Sequence, residues 1–245
     1  MIEIKNLTKC YAKSSVKAVE DLTLTVKEGE IYGFLGPNGA GKSTTIKCLT
    51  GILPFTEGSI HICGVNLKEC PVEAKTHIGF VPDEHVLYES LTGFQYIEFI
   101  ADVFNVPVYK RKELLEKYAA SFGMSDKLQD KISSYSHGMK QKISIISALI
   151  HEPDVLILDE PMTGLDPKSS FELKQIMKEY AEQGKTVFFS SHVLEVVEKI
   201  CTSIAIINKG KLVTEFSIHE LQEKKADTNL EEFFLKLTSD GEGNE

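Results

Sequence analysis

The sequence predicts an α/β protein: a core of mainly parallel strands around a glycine-rich loop, joined to an antiparallel β subdomain and interrupted by an inserted α-helical subdomain. Three observations carry this. GPNGAGKST at residues 36–44 stands between the apolar stretch EIYGFL and a helical stretch, a strand–loop–helix unit of the kind parallel sheets are built from. VLILD and TVFFS contain short, wholly apolar runs, the pattern of strands buried on both faces. Between about residues 85 and 150 the apolar period becomes helical.

Taken in order, IEIKNL and LTLTV alternate apolar and polar side chains, as half-buried antiparallel strands do. EIYGFL enters the glycine-rich turn, and a helix follows from about Lys42 to Thr50. GSIHICG reads as glycine-punctuated strand. In the helical segment Ile97, Ile100 and Phe104 form one stripe, and Leu115, Tyr118 and Phe122 another. DPKSSFELKQIMKEYAEQG reads as one helix: Asp166 caps, Pro167 opens the first turn, Leu173, Ile176, Met177 and Tyr180 face the core, and Gly184 stops it. After the TVFFS strand, Val193, Val196, Val197 and Ile200 stripe a further helix, and SIAIIN and KLVTEF flank Lys209 and Gly210 as a hairpin. A last helix is expected to pack through Leu230, Phe233, Phe234 and Leu237, with only GEGNE disordered.

Composition sets the outer limits. With 42% hydrophobic and 26% charged residues over 245 positions, the chain can bury a sizeable core and fits neither a disordered nor a fibrous class. A net charge of -9 argues against a nucleic-acid partner that relies on phosphate neutralisation. No apolar run is long enough to span a bilayer and MIEIKNLTK lacks a secretory apolar core, so a cytoplasmic protein is expected. The five cysteines are odd in number and form no CxxC pair, which indicates neither a disulfide framework nor a zinc site; buried, reduced thiols are expected.

GPNGAGKS matches GxxxxGK[ST], in which the backbone N–H groups of a glycine-rich turn and the following helix N-terminus wrap nucleotide phosphates. The loop is short of side chains because side chains would obstruct that approach. Gly36, Pro37, Asn38, Gly39, Ala40, Gly41, Lys42, Ser43 and Thr44 are the binding residues; Lys42 reaches the β- and γ-phosphates and Ser43 puts its hydroxyl on magnesium. A metal-dependent hydrolase also needs carboxylates, and VLILDEP supplies two at the end of a buried strand. Asp159 suits the metal, and Glu160 is placed to take a proton from attacking water. His192 follows another buried strand, at the sheet edge where open α/β sheets bind ligands, and can donate to the γ-phosphate.

Together these pieces resemble the nucleotide-binding domain of ABC transporters over nearly the whole chain. GPNGAGKST resembles Walker A, YSHGMKQK the signature motif, VLILDEP Walker B, TGLDP the D-loop and SSH the switch-histidine motif. The resemblance implies an ABC ATPase fold: a P-loop NTPase (RecA-like) core over residues 1–84 and 151–220, a helical signature subdomain over 85–150, and a C-terminal helix and acidic tail over 221–245, all within one domain. It implies ATP and Mg2+ as ligands, and a head-to-tail homodimer or heterodimer that sandwiches two ATP molecules, each between one subunit's P-loop and the other's signature, Ser136, His137, Gly138 and Met139. Asp166 is then the D-loop aspartate. Tyr11 falls where the family stacks an aromatic ring on adenine, and equally suits a strand edge. The resemblance also implies integral membrane permease subunits on a separate chain, which this chain would serve from the cytoplasmic face of the membrane.

Two motifs depart from the family pattern. YSHGM stands where LSGGQ is commonest, so His137 replaces a glycine and Met139 a glutamine. In GFVPDEHVLYESLT, the family's Q-loop, Asp83 occupies the glutamine position; it either ligates magnesium through a carboxylate or is a plain loop acid. Val86, Leu87, Tyr88 and Phe94 lie near the groove that receives the permease in the family, and ordinary subdomain core is the expectation for each. The altered signature and the VPDE form resemble ABC-2 type exporters of drugs, peptides or lipid-linked molecules. A soluble ABC ATPase acting as an assembly scaffold is the alternative, because the same cassette serves both.

Overall fold

The computed structural model describes residues 1–12, 16–220 and Phe234. Leu230, Phe233, Leu237 and the GEGNE tail lie outside the described residues; Phe234 packs partly against the core. Strands β1 (Ile2–Cys10) and β2 (Lys17–Val26) pair antiparallel, with Ile2 opposite Val26 and Ile4 opposite Leu24, so one apolar set faces inward. With β4 (Glu57–Ile62) and β5 (Val65–Asn66) they form a four-stranded antiparallel sheet in the order β2-β1-β4-β5.

The second sheet is six-stranded. It comprises β3 (Ile31–Leu35), β6 (Ile78–Val81), β7 (Val155–Leu158), β8 (Thr186–Ser191), β9 (Ser203–Asn208) and β10 (Lys211–Ser217), in the order β10-β9-β3-β8-β7-β6. All neighbours are parallel except β9 and β10. Those two are joined by a two-residue turn in which Lys209 (φ 48°) and Gly210 (φ 80°) take the left-handed conformations a twisted hairpin requires.

Alternation along the buried strands divides the apolar residues between two layers. Tyr32, Phe34, Ile157 and Phe188 face the antiparallel sheet and helix α1 (Lys42–Leu49), where they join Ile4, Leu24, Ile46 and Ile60. Leu35, Leu156, Leu158, Val187 and Phe189 face the opposite way, onto α3 (Gly93–Val103), α4 (Val108–Ser121), α5 (His137–Leu149), α6 (Pro167–Glu182) and α7 (Leu194–Ile200). A short α2 (Pro71–Thr76) precedes β6. Helix α6 is as the sequence predicts: Asp166 Oδ1 accepts from Ser169 N–H at 2.9 Å, Leu173, Ile176, Met177 and Tyr180 are buried, and Gly184 turns the chain at φ 79°.

Three expectations need correction. Val193 is exposed and precedes α7 as its N-cap, because the backbone is still extended there; Val197 and Ile200 carry the buried face. All five thiols are free, but Cys70 is exposed at the start of α2, and Cys10 and Cys63 are half-buried at strand ends. Val86, Tyr88 and Phe94 are exposed rather than core, since the segment from Pro82 to Glu89 runs over the surface before α3 begins and Phe94 faces outward from the first turn of α3.

Candidate functional site

The C-terminal ends of β3, β7 and β8 meet at one edge of the six-stranded sheet, and every residue singled out from Lys42, Asp159, Glu160 and His192 follows one of them. The loop after β3 enters α1 through Gly41, whose φ of 104° and whose approach to Ala18, with room for no Cβ, call for glycine. No side chain caps α1, so its first N–H groups are left for an anion. Gly36 and Ala40 are buried, while Asn38 and Gly39 are exposed at the tip.

Lys42 folds back over the loop: its Nζ donates to Gly36 O at 2.6 Å and Pro37 O at 3.2 Å. Burial pushes its pKa down, and the nearby Glu160 and Asp159 carboxylates pull the other way. The ammonium is therefore held by carbonyls that phosphate oxygens, as stronger acceptors, can replace. Tyr11 lies alongside, its hydroxyl 3.2 Å from Thr44 Oγ1 and its ring exposed, with Lys9 Nζ 5.4 Å from the ring centre.

Asp159 is buried at the end of β7, and Glu160 follows with a left-handed φ of 48°, an uncommon conformation for a non-glycine residue. Ser190 of β8 connects the two: its hydroxyl donates to Asp159 Oδ1 at 2.6 Å and accepts from Glu160 N–H at 3.0 Å. Sequence reasoning missed Ser190; its signal was a polar residue at the end of the apolar run Val187–Phe189, on the strand beside β7. His192 Nδ1 is 2.8 Å from Glu160 Oε2, so the exposed imidazole orients that carboxylate.

Ser43, Asp83 and Asp159 line one cavity of about 450 Å³, together with Glu84, Lys47, Phe80 and Val86. Hard oxygen donors of this kind, a hydroxyl and carboxylates, fit magnesium.

The signature residues lie elsewhere. Ser136 caps α5, accepting from Met139 N–H at 3.3 Å, on the opposite face of the sheet from α1. Within the chain they touch the D-loop and Q-loop: Gly138 passes so close to Gly164 that a Cβ would meet its carbonyl at 2.6 Å, and the His137 ring is 5.1 Å from that of His85. Gln141 Nε2 donates to Pro161 O at 2.8 Å, a second contact that sequence reasoning missed. Asp166, besides capping α6, pairs with Lys142 at 2.7 Å; that ammonium and the Ser169 N–H hold its carboxyl well below the usual carboxylate range.

The profile of the family described as ABC transporter matches residues 19–163. In Bacillus subtilis (strain 168), the uncharacterized ABC transporter ATP-binding protein YhcH is 37% identical over 235 residues, covering 96% of this chain and 74% of that protein. The linearmycin resistance ATP-binding protein LnrL of the same strain is 37% identical over 213 residues, covering 87% of this chain and 68% of LnrL. A solved ATP-binding subunit of an ABC transporter superposes with a TM-score of 0.91 at 30% identity, over 97% of this chain and 99% of that one. The dimeric post-hydrolysis structure of the ATP-binding cassette MJ0796, bound to ADP and Pi, gives 0.81 at 25% identity, over 89% and 99% of the two chains. A glycine cradle, a buried carboxylate and a histidine-oriented glutamate on one sheet edge are what an ATP-hydrolysing cassette needs, and with these kinships the chain belongs to the ABC transporter family as an ATPase subunit.

Proposed function

We propose that this chain is the ATPase motor of an ABC exporter of drug, peptide or lipid-linked cargo, working on the cytoplasmic face of the membrane with permease subunits on a separate chain. The observation that carries the motor reading is the Glu160–His192 pair at 2.8 Å, on the sheet edge that also presents Lys42. Kinship with a linearmycin resistance cassette supports export. Among the described residues no helix is long and apolar enough to cross a membrane.

In this reading Lys42 leaves the carbonyls of Gly36 and Pro37 for the β- and γ-phosphates, and Tyr11 takes the adenine. Ser43, Asp159 and Asp83 would hold magnesium, which when bound neutralises phosphate charge. Glu160 accepts the proton of the attacking water while His192 Nδ1 steadies its other oxygen, leaving Nε2 to face the γ-phosphate. Two cassettes, alike or different, close head to tail so that the Ser136–Met139 turn of each completes the other's site. Residues 1–84 and 151–220 act as the nucleotide-binding core, and residues 85–150 as the helical part that moves against it. The exposed side chains of Val86, Tyr88 and Phe94 offer the permease an apolar face.

Affinity purification of the tagged chain from detergent-extracted native membranes tests the transporter assignment. A stoichiometric multi-span membrane protein is expected in the eluate. Only soluble partners, with the membrane fraction empty, would move the assignment to an assembly-scaffold ATPase.

A further inference from the structure

The opposite edge of the six-stranded sheet, where β6, β7 and β8 begin, carries a second group of reactive side chains. Cys63 comes from the turn between β4 and β5, His77 is the C-terminal cap of α2, and Asp154 immediately precedes β7. One ligand atom of each, a thiol sulfur, an imidazole nitrogen and a carboxylate oxygen, lies within 4.8 Å of the other two. His77 Nδ1 and Asp154 Oδ2 are 2.6 Å apart. The backbone fixes the group: Val155 N–H donates to His77 O at 2.9 Å, and Cys63 adopts a left-handed φ of 50° that turns the chain at the sheet corner. Cys63 and His77 are half-buried, and Asp154 is exposed and free to adjust.

We propose that Cys63, His77 and Asp154 form a site for a divalent transition metal ion of the zinc type, remote from the nucleotide edge, with a fourth position open to water. A thiolate, an imidazole and a carboxylate are the donors zinc takes, whereas magnesium prefers oxygen alone, so the ion used in ATP hydrolysis does not compete here. Tetrahedral metal–ligand distances of about 2.0–2.3 Å place ligand atoms about 3.3–3.8 Å from one another. The His77–Asp154 contact must therefore open by roughly 1 Å and the wider separations close by about as much, which the exposed Asp154 side chain can accommodate. Cys63 gives its proton to solvent, and His77 binds as the neutral imidazole through Nδ1. Burial pushes the Cys63 thiol up, so metal uptake releases a proton and strengthens as pH rises. The Met1 ammonium also faces the Cys63 sulfur and donates to Thr186 Oγ1 at 2.9 Å, so it gives up the sulfur to the incoming ion. Cys63 follows β4 of the antiparallel sheet while His77 and Asp154 immediately precede β6 and β7 of the six-stranded one, so an ion bound by all three ties the two sheets together.

The test uses the full chain, chelator-stripped, reduced and free of magnesium, titrated with Co2+ alone. One equivalent is expected to give a thiolate-to-cobalt charge-transfer absorption in the near ultraviolet, displaced by Zn2+ and absent in Cys63→Ser. Asp154→Asn, which alters an exposed side chain and should leave the fold intact, is expected to weaken binding at least tenfold. Cys70→Ser, changing the exposed thiol, is expected to bind as the wild type does. Zn2+ should raise the thermal midpoint of the wild type and not of Cys63→Ser. No charge-transfer band at stoichiometric Co2+, or a band that survives Cys63→Ser, or one lost in Cys70→Ser, would overturn the site and leave His77–Asp154 a plain ion pair.

Discussion

Ser190 makes the two hydrogen bonds that hold Asp159 and Glu160 in register, and it is fully buried. Replacing it by alanine leaves the Glu160 N–H and one Asp159 oxygen without their partner in a dry setting, a loss of about 1–3 kcal/mol. Ser190→Ala is therefore expected to lower urea-unfolding stability by that amount and to reduce kcat more than it raises KM, because the carboxylates lose their aim before the nucleotide loses its cradle. Glu160→Gln separates chemistry from scaffolding: ATP binding is retained while steady-state hydrolysis drops by at least about two orders of magnitude, the usual scale for removing a general base. Turnover near the wild-type rate would refute that role. Lys42, Glu160 and His192 were legible in the sequence because each sits in a short local motif beside a recognisable strand. Ser190 was not assigned, since its role depends on the register of β8 against β7, which sets its hydroxyl between Asp159 and the Glu160 N–H.

Elements were legible where their punctuation is local. The cap, proline and glycine of α6 fix both its ends, and the Lys209–Gly210 turn fixes the β9–β10 hairpin. Helix α3 carries an equally local signal in Thr92 and Gln95, whose side chains cap each other's backbone N–H groups at 3.1 and 3.0 Å. What sequence cannot supply is how elements meet, and His151 shows why. It leaves the end of α5, stacks on Phe104 at the end of α3 with ring centres 3.7 Å apart, and donates through Nε2 to Ile78 O of β6 at 3.1 Å. Its Nδ1 is buried with no hydrogen-bond partner among the described residues, and burial pushes the pKa down to about 4. The folded value lies below the ordinary 6.5, so the unfolded chain takes the proton first as pH falls. The stabilising contribution of the neutral ring is complete above about pH 6.5 and is lost as pH falls through about 4, a change of about 3 kcal/mol. His151→Phe keeps a ring over Phe104 but leaves Ile78 O unbonded, so it is expected to be about 1 kcal/mol less stable near neutrality. It should also have a flatter profile toward pH 4. Urea midpoints taken across that range check this, and parallel profiles for the two proteins would remove His151 as the cause.

At the scale of the molecule, the six-stranded sheet separates the phosphate loop from the turn that opens α5, the two halves of the ATP site in the proposed dimer. Helix α1 and the phosphate loop lie on the face covered by the antiparallel sheet, whereas Ser136 caps α5 on the other face. One chain therefore presents a phosphate cradle and a helix N-terminus that do not face each other, and a second cassette is the economical way to bring a signature over the loop. Closure has an electrostatic cost, because each chain carries -9 and the nucleotide adds negative charge. Magnesium and moderate salt reduce that repulsion, and bound ATP favours the closed pair by mass action. Glu160→Gln retains the charges that bind ATP but stalls the loss of the γ-phosphate that would reopen the pair. Light scattering of this variant with saturating Mg-ATP is expected to show a species of twice the 27.3 kDa chain mass, which reverts to monomer when ADP replaces ATP. The wild type should show the same species only transiently. Ser136→Ala in the Glu160→Gln background should weaken the dimer while leaving ATP binding to the monomer unchanged, because in the proposed head-to-tail pair that hydroxyl serves the other copy's nucleotide. A strictly monomeric Glu160→Gln at every ATP concentration, or a dimer indifferent to Ser136, would count against the composite site.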